Sequence, residues 1–359
     1  MKLKLRAFQI LILVLIALVV STFLLYKNSD VRVPATPELS GVQNWIEPAG
    51  IFPNDSDLAV GQGSAVDIDS QGNIYFLHRA GYGFGNSEII PAETVWVISP
   101  DTYEVINTWG ANLFRSPHGI TIDANDNVWI TDVMQNKVYQ FDQNGVLLRV
   151  YGKDYPFYME SCLKIRNLLR RLPCSISGDY FARPTDIEIM DDGSFIVSDG
   201  YRNSRIVKFD RDGRINWEID AFGNKNSEFN LPHGLAMDSD NNIYVADRKN
   251  ARIQIFDSNG DWVDTWDSPE IGRPYGLDIG FDNHLYVVDA GDADEIPGGI
   301  SRSQIIKINL QGEIIFRYSG FGSELGEMNL PHDIAVGADG IIYVAEINNN
   351  RIQYFLQNR

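Results

Sequence analysis

Three of the five histidines in this 359-residue chain follow a proline in nearly identical phrases. The phrases are "SPHGITI" (116–122), "LPHGLAM" (231–237) and "LPHDIAV" (330–336). Neutral imidazole nitrogens bind zinc and similar divalent metals, and three of them around an open position suit a catalytic site. The recurrence therefore predicts a metal centre formed by His118, His233 and His332, provided that the fold brings these side chains together.

A longer repeat surrounds these phrases and predicts the fold. Each unit contains a short alternating strand, an Asp/Asn/Gly turn, a strand such as "NIYVAD", a strand such as "RIQIF" and an outer strand such as "WVDTW". Six such units begin near residues 61, 114, 181, 229, 272 and 328. Four-stranded units of ~40–50 residues are typical of propeller blades. The sequence therefore predicts an all-β, six-bladed β-propeller over residues 51–359.

The sixth unit reaches the end of the chain one strand short. The segment "GVQNWIEP" (41–48) is the candidate for the missing outer strand, which would close the ring and remove an open sheet edge. Insertions at 153–180 and 291–302 interrupt the repeat, and the middle of the first is expected to form a short amphipathic helix. Cys162 and Cys174 lie in that insertion, either as a disulfide or as two unpaired thiols.

The position of each histidine within its repeat explains how the three could meet. The first strand of every propeller blade lines the central channel, so equivalent residues form a ring around the axis. This ring contains, in chain order, Ser64, His118, Thr185, His233, Tyr275 and His332. Histidine occurs in every second blade, which predicts near-threefold spacing. The alternative, that Pro-His-Gly is only a repeat consensus, accounts less well for the strict alternation.

Composition and the N-terminus set limits on partners and location. The formal net charge of −18 disfavours nucleic acid and attracts divalent cations. Three basic residues precede the apolar segment 7–26, which has about the length of a membrane-spanning helix. We expect a signal anchor over residues 1–27, a linker at 28–50 and a propeller outside the cytoplasm. The alternative is a cleaved signal peptide and a secreted protein.

Longer motifs add a family resemblance. They include "FLHRAGYGFG" (76–85), "SDGYRNSRI" (198–206) and "VADRKNARIQ" (245–254), together with the Pro-His phrases. Over roughly residues 60–357 the chain resembles the peptidyl-α-hydroxyglycine α-amidating lyases, whose propellers have NHL-type repeats. The resemblance implies a metal-dependent lyase that cleaves the N–C bond of a carbinolamide. The substrate would be a peptide or small molecule with a C-terminal α-hydroxyglycine-like group, and the products an amide and glyoxylate.

The resemblance also implies roles for individual residues. It assigns the catalytic zinc to His118, His233 and His332. It makes Tyr201 the catalytic base and places the two arginines, Arg79 and Arg248, in substrate binding and catalysis. Arg79 would bind the substrate carboxylate.

Two further features follow from the resemblance. Leu330 stands where the family has a substrate-contacting methionine. A structural calcium would be bound by the carboxylate of Asp333 and by backbone carbonyls near Gly63 and Ile120.

Two other functions fit parts of the sequence. A non-catalytic NHL-repeat propeller would bind protein or peptide outside the cytoplasm, with the insertion at 153–180 as the main contact. A lactonase-like calcium hydrolase would need acidic and amide ligands around the axis, whereas the ring positions hold histidine, threonine and tyrosine. The lyase explains more of the motifs than either alternative.

Overall fold

The computed structural model describes residues 45–52, 60–155, 157–168, 178–292 and 299–358. The chain divides into two compact units. One combines residues 1–31 with 155–175, and the other combines 32–154 with 176–359. All strands of the described residues belong to the second unit, which is the six-bladed propeller predicted from the repeats.

The first strand in the chain, β1 (Ile46–Phe52), belongs to the last blade. The first blade contains β2 (Gly63–Ile68), β3 (Ile74–His78), β4 (Val95–Ile98) and β5 (Val105–Trp109). The second contains β6 (Pro117–Ile122), β7 (Val128–Asp132), β8 (Lys137–Phe141) and β9 (Leu147–Tyr151). The third contains β10 (Asp186–Ile189), β11 (Phe195–Asp199), β12 (Arg205–Phe209) and β13 (Ile215–Asp220).

The remaining blades repeat this order. The fourth contains β14 (Pro232–Met237), β15 (Ile243–Asp247), β16 (Arg252–Phe256) and β17 (Trp262–Trp266). The fifth contains β18 (Pro274–Ile279), β19 (His284–Gly291), β20 (Ser301–Asn309) and β21 (Ile314–Ser319). The sixth contains β22 (Pro331–Val336), β23 (Ile342–Glu346) and β24 (Arg351–Gln357), with β1 as its outer strand.

The core lies between neighbouring blades. Second strands such as β3, β7 and β11 are buried at every position, because each sheet packs against another on both faces. For example, Leu77 and Val95 of the first blade share a cluster with Ile120 and Ile130 of the second. Outer strands are more exposed, and β9 is exposed at four of its five positions. The inner strands are thus fixed by packing on both sides, which gives a rigid frame for side chains at the axis.

Strand β1 closes the ring by pairing antiparallel with β24, from Ile46 opposite Gln357 to Phe52 opposite Ile352. The propeller therefore begins at residue 46, and the expected domain boundary at residue 51 falls inside this strand. The candidate segment 41–48 was placed too early, because pairing continues through Phe52. Pro48 is tolerated because β1 is the outermost strand, where a missing N–H breaks no ladder.

The insertion after β9 contains the helix α1 (Phe157–Leu168), as the sequence predicts. Cys162 in this helix is disulfide-bonded, and Cys174 lies outside the described residues. The expected anchor at 7–26 and the linker up to residue 44 also lie outside them. No helix within the described part of the chain is long and apolar enough to cross a membrane.

Candidate metal centre and active site

The three histidines of the repeated phrase meet on the propeller axis. Each is the second residue of an inner strand, in β6, β14 and β22. Their ring centroids are 4.9, 4.7 and 4.8 Å apart, which makes a nearly equilateral triangle. One ligand nitrogen from each ring lies within 4.8 Å of the others. In the described part of the chain this is the one group of three or more His, Cys, Asp or Glu side chains with such geometry.

The intervening blades orient the imidazoles. His118 Nδ1 donates to the carbonyl of Thr185 at 2.7 Å, and His233 Nδ1 donates to the carbonyl of Tyr275 at 3.0 Å. His332 Nδ1 donates to the carbonyl of Ser64 at 2.6 Å. A carbonyl oxygen only accepts, so Nδ1 carries the hydrogen and the lone pair of each neutral ring is on Nε2. Metal-binding histidines are commonly oriented by such a bond.

The electrostatics keep the three rings neutral. Burial lowers the pKa of His118 and His233 well below its ordinary value, and lowers that of His332 to about 3. The positive charge of Arg248 lowers the pKa of all three histidines further, and that of Arg79 lowers the pKa of His118 and His332. Three neutral nitrogen donors with fixed tautomers fit a borderline divalent ion such as zinc.

Tyr201 lies against this triangle. It follows strand β11 in the "SDGYRNSRI" turn, and its hydroxyl donates to His118 Nε2 at 3.0 Å. The same oxygen lies 3.4 Å from His233 Nε2 and accepts from Arg248 Nη1 at 3.3 Å. A phenol oxygen in contact with two candidate ligand atoms is well placed to act on a group bound at the metal position.

Arg248 is held in place by Tyr275, a ring residue to which the sequence assigned no chemical role. Its guanidinium carbon lies 3.8 Å from the centroid of the Tyr275 ring, and Nη2 donates to the Tyr275 hydroxyl at 2.8 Å. Arg248 opens a 3₁₀ turn that directly follows β15. Stacking and the hydrogen bond together fix the direction in which the guanidinium faces Tyr201.

Arg79 is a buried arginine with one hydrogen-bond donor that no described residue accepts from. It follows β3 and is 1% exposed. Nε donates to the carbonyl of Pro117 at 3.2 Å and Nη1 donates to Gln62 Oε1 at 3.0 Å, while Nη2 is buried and has no hydrogen-bond partner among the described residues. Burial lowers its pKa to about 10, so the group stays charged at neutral pH. A buried guanidinium with a free N–H indicates a site for an anion.

Phe84 is a neighbour of this site that the sequence analysis missed. It is 43% exposed, and its ring lies 4.9 Å from the ring of Tyr201 and 5.5 Å from the guanidinium of Arg79. The signal was available, because an aromatic residue between the glycines of "GYGFGN" has no role in the repeat. Leu330 has a left-handed backbone, with φ of 57°, and packs against the core of the fifth and sixth blades.

Carboxylates continue along the axis beyond the histidines. Asp333 Oδ2 accepts from the backbone N–H of Val66 at 3.1 Å, and Asp333 and Asp186 line a small cavity together with the three histidines. Burial and repulsion from Asp186 raise the pKa of Asp333 well above its ordinary value. Gly63 opens β2, and Ile120 is buried in β6. The Asp333 carboxylate thus lies near that of Asp186, and calcium binding there stays a prediction.

Three further acids were missed. Asp67, Glu188 and Asp278 each stand three residues after a ring position, in the first, third and fifth blades. Burial raises the pKa of Asp67 to about 8 and of Asp278 to about 7, and their mutual repulsion adds to the shift of Asp67. Aligning the six repeats on the ring position would have revealed that an acidic residue recurs three residues later in every second blade.

Fold and site together define an NHL-repeat propeller with a histidine triangle on its axis. The NHL repeat model matches residues 181–209, 229–256 and 328–355. A Drosophila melanogaster protein named peptidyl-alpha-hydroxyglycine alpha-amidating lyase 1 is 30% identical over 84% of this chain and 58% of its own length. A Caenorhabditis elegans protein named as a probable lyase of this kind is 28% identical, over 88% of this chain and 90% of its own length.

Another relative with a related name is much longer than this chain. The mouse peptidyl-glycine alpha-amidating monooxygenase is 29% identical over 90% of this chain, which spans 33% of that protein. A streptogramin B lyase structure has a TM-score of 0.58 at 15% identity, over 88% of this chain and all of the other, and shows the fold alone. The chain thus carries NHL repeats and is similar to the peptidyl-α-hydroxyglycine α-amidating lyases, which confirms the resemblance seen in the sequence.

Proposed function

We propose that this chain is a zinc-dependent lyase that converts a peptidyl-α-hydroxyglycine, or a related carbinolamide, to an amide and glyoxylate. The observation that carries the proposal is one buried centre in which three histidines and the Tyr201 hydroxyl meet, with Arg79 near enough to lower the pKa of His118 and His332. The names of the relatives favour an amidating lyase over other uses of such a centre.

Arg79 would bind and orient the substrate. Its unpaired Nη2 donates to the glycine carboxylate, and the low local polarity strengthens this charge-assisted hydrogen bond. Fixing the carboxylate sets the position of the carbon that carries the hydroxyl. Phe84, which is half-exposed beside Arg79, would cover that side of the substrate and limit access of water.

Tyr201 would move the proton. His118, His233 and His332 would hold the zinc, which supplies a Lewis acid that lowers the pKa of the substrate hydroxyl. Tyr201 would act as a phenolate, whose oxygen takes the hydroxyl proton, and the N–H of Arg248 would stabilise the negative charge that this oxygen carries before the transfer. As the carbonyl of glyoxylate forms, the C–N bond breaks with its electron pair on nitrogen. The proton then passes to this nitrogen, which leaves as the amide.

Two further parts of the proposal concern positions outside the reacting centre. Asp333, with backbone carbonyls near Gly63 and Ile120, would bind a structural calcium, since its carboxylate is surrounded by other acids that a cation would offset. Residues 7–26 would anchor the chain in a membrane, with the propeller outside the cytoplasm.

Metal analysis and product release test the proposal together. We expect the purified full-length chain to contain about one zinc per molecule and to release glyoxylate from α-hydroxyhippurate. His233→Ala should lose both the metal and the activity. A zinc-loaded protein that releases no glyoxylate from this substrate, or from a peptide ending in α-hydroxyglycine, would refute the lyase.

A further inference from the structure

One position at or near the end of the second strand of each blade holds the same kind of residue in five of the six blades. Five blades have a fully buried carboxylate there, namely Asp132, Asp199, Asp247, Asp289 and Glu346. Each accepts a backbone N–H from the segment that leads into the inner strand of its own blade. In the third to sixth blades the carboxylate also pairs with an arginine, at 2.7 to 3.1 Å. The acid is therefore a structural element of the repeat.

The first blade has His78 in this position. Its Nδ1 accepts the backbone N–H of Ala80 at 3.0 Å and that of Gly61 at 3.4 Å, so it replaces the carboxylate as an acceptor. An Nδ1 that accepts carries no hydrogen, and the ring is therefore neutral. Thr94 pairs with His78 across the strands, where the third, fourth and sixth blades have an arginine. The first blade thus lacks both the buried carboxylate and the arginine that pairs with it in other blades.

This exception directly precedes Arg79. The side chain that accepts a hydrogen bond from Arg79 is also neutral. It is Gln62, whose Oε1 lies 3.0 Å from Arg79 Nη1. In the described residues Arg79 has no hydrogen bond or ion pair with a carboxylate. The fourth blade gives the contrast, because Asp247 precedes Arg248 there and is paired with Arg252 at 2.7 Å. An acid at residue 78 would lack this cross-strand partner, because Thr94 stands where the fourth blade has Arg252.

We propose that His78 and Gln62 determine the specificity of the site for a carboxylate, because both supply hydrogen-bond acceptors beside Arg79 without a negative charge that would neutralise it. This inference rests on the proposed function, in which Arg79 binds the substrate anion. It explains how a chain with a net charge of −18 can offer an anionic ligand an arginine that no carboxylate contacts among the described residues. His78 and Gln62 act through Arg79 and are positioning residues.

Gln62→Glu is the sharpest test, because it adds one charge and keeps the shape and the accepting oxygen. The probes are hippurate and its neutral amide, hippuramide, and calorimetry on the zinc-loaded full-length chain measures binding of each. We expect the Kd for hippurate to rise roughly tenfold or more, because a charged neighbour competes for Arg79. The Kd for hippuramide should change less than about twofold, whereas general damage to the fold would weaken both.

Gln357→Glu is the matched control. Gln357 Oε1 also accepts from a cation, Lys307 Nζ at 3.2 Å, and from the Tyr286 hydroxyl at 3.0 Å, in the outer part of the fifth and sixth blades. The variant has the same net charge as Gln62→Glu, so the two differ only in where the charge lies. Hippurate binding to Gln357→Glu should match the wild type.

A second pair of variants places the charge at residue 78. His78→Asp restores the acid of the other blades and should weaken hippurate binding, whereas His78→Asn keeps an accepting oxygen without charge and should retain the preference for hippurate over hippuramide. Equal affinity of Gln62→Glu and wild type for hippurate would overturn the inference, whether or not His78→Asp folds. Selective loss of hippurate binding in a protein that never releases glyoxylate would support the inference and refute the lyase instead.

Discussion

At the scale of single residues, the site depends on where hydrogens and charges are fixed. Each imidazole donates from Nδ1 to a backbone carbonyl, which leaves Nε2 as the ligand atom. Tyr201 adds a hydroxyl within 3.4 Å of two of these nitrogens. None of these groups is unusual alone. Their chemistry follows from burial, which keeps the histidines neutral and leaves Arg79 with an unmet donor.

Removing the Tyr201 hydroxyl tests its role as the proton carrier. Tyr201→Phe keeps the ring contact with Phe84 and removes the oxygen that contacts His118 and Arg248. We expect kcat for glyoxylate release to fall by about 10²–10⁴-fold with little change in KM, the usual range for loss of a general base. Zinc content should stay at the wild-type level. Tyr139→Phe, which removes a hydroxyl bonded to Gln135 in the second blade, is the control. An active Tyr201→Phe protein would exclude this mechanism.

At the scale of elements, the inner strands place ligand and support in neighbouring blades. The ring residues Ser64, Thr185 and Tyr275 supply the carbonyls that orient the histidines. The glycine after a ring residue has a related task, since it lets adjacent inner strands approach. A Cβ on Gly234 would lie 2.4 Å from the carbonyl oxygen of Tyr275, the acceptor for His233.

Gly234→Ala should therefore weaken metal binding without touching a ligand. The added methyl would displace the Tyr275 carbonyl and tilt the His233 ring. Loss of such an orienting bond typically costs about 10–100-fold in metal affinity. Competition with a chromogenic chelator measures the zinc affinity of the folded protein. Gly83→Ala is the control, because nothing lies within 4 Å of a Cβ at that position. Equal zinc affinity in the two variants would contradict the supporting role of the carbonyl.

The elements also show what the sequence could and could not predict. Histidines 118, 233 and 332 were found because the repeat gives every inner strand the same register, so spacing along the chain becomes spacing around the axis. The contact of Phe84 with Tyr201 and the support of Arg248 by Tyr275 were missed, because each joins residues of different blades at positions that the repeat does not relate. The start of β1 was misplaced, since only its pairing with β24 determines where this strand begins and ends.

At the scale of the whole molecule, buried acids and buried histidines make the stability of the fold depend on pH in opposite directions. Burial raises the folded-state pKa of Asp67 to about 8 and of Asp278 to about 7. The folded chain keeps these protons where the unfolded chain has released them, so their contribution to stability is lost as the pH rises toward these values. The buried His78 and His332, with pKa values of about 3, remove stability as the pH falls below 6.5.

Between pH 6.5 and 8 the carboxylates dominate, and we expect the Tm of the metal-free protein to fall over this interval. Added calcium should reduce the fall, because a cation on the axis offsets the ionised acids. Scanning calorimetry in chelator and in calcium chloride measures both effects. Asp278→Asn should flatten the profile in chelator, whereas the exposed Asp101→Asn should follow the wild type. A Tm that rises from pH 6.5 to 8 in chelator would show that the acids are already compensated within the fold.

The pairing of β1 with β24 has a consequence for biosynthesis. The strand that is made first among those of the propeller completes the blade that is made last. Five blades can fold in order as the chain emerges, but the ring stays open until residues 351–357 have left the ribosome. During that time the sixth blade lacks its outer strand, and β1 has no partner. A pause in translation after the fifth blade would therefore leave an aggregation-prone intermediate with unpaired strand edges, to which chaperones could bind.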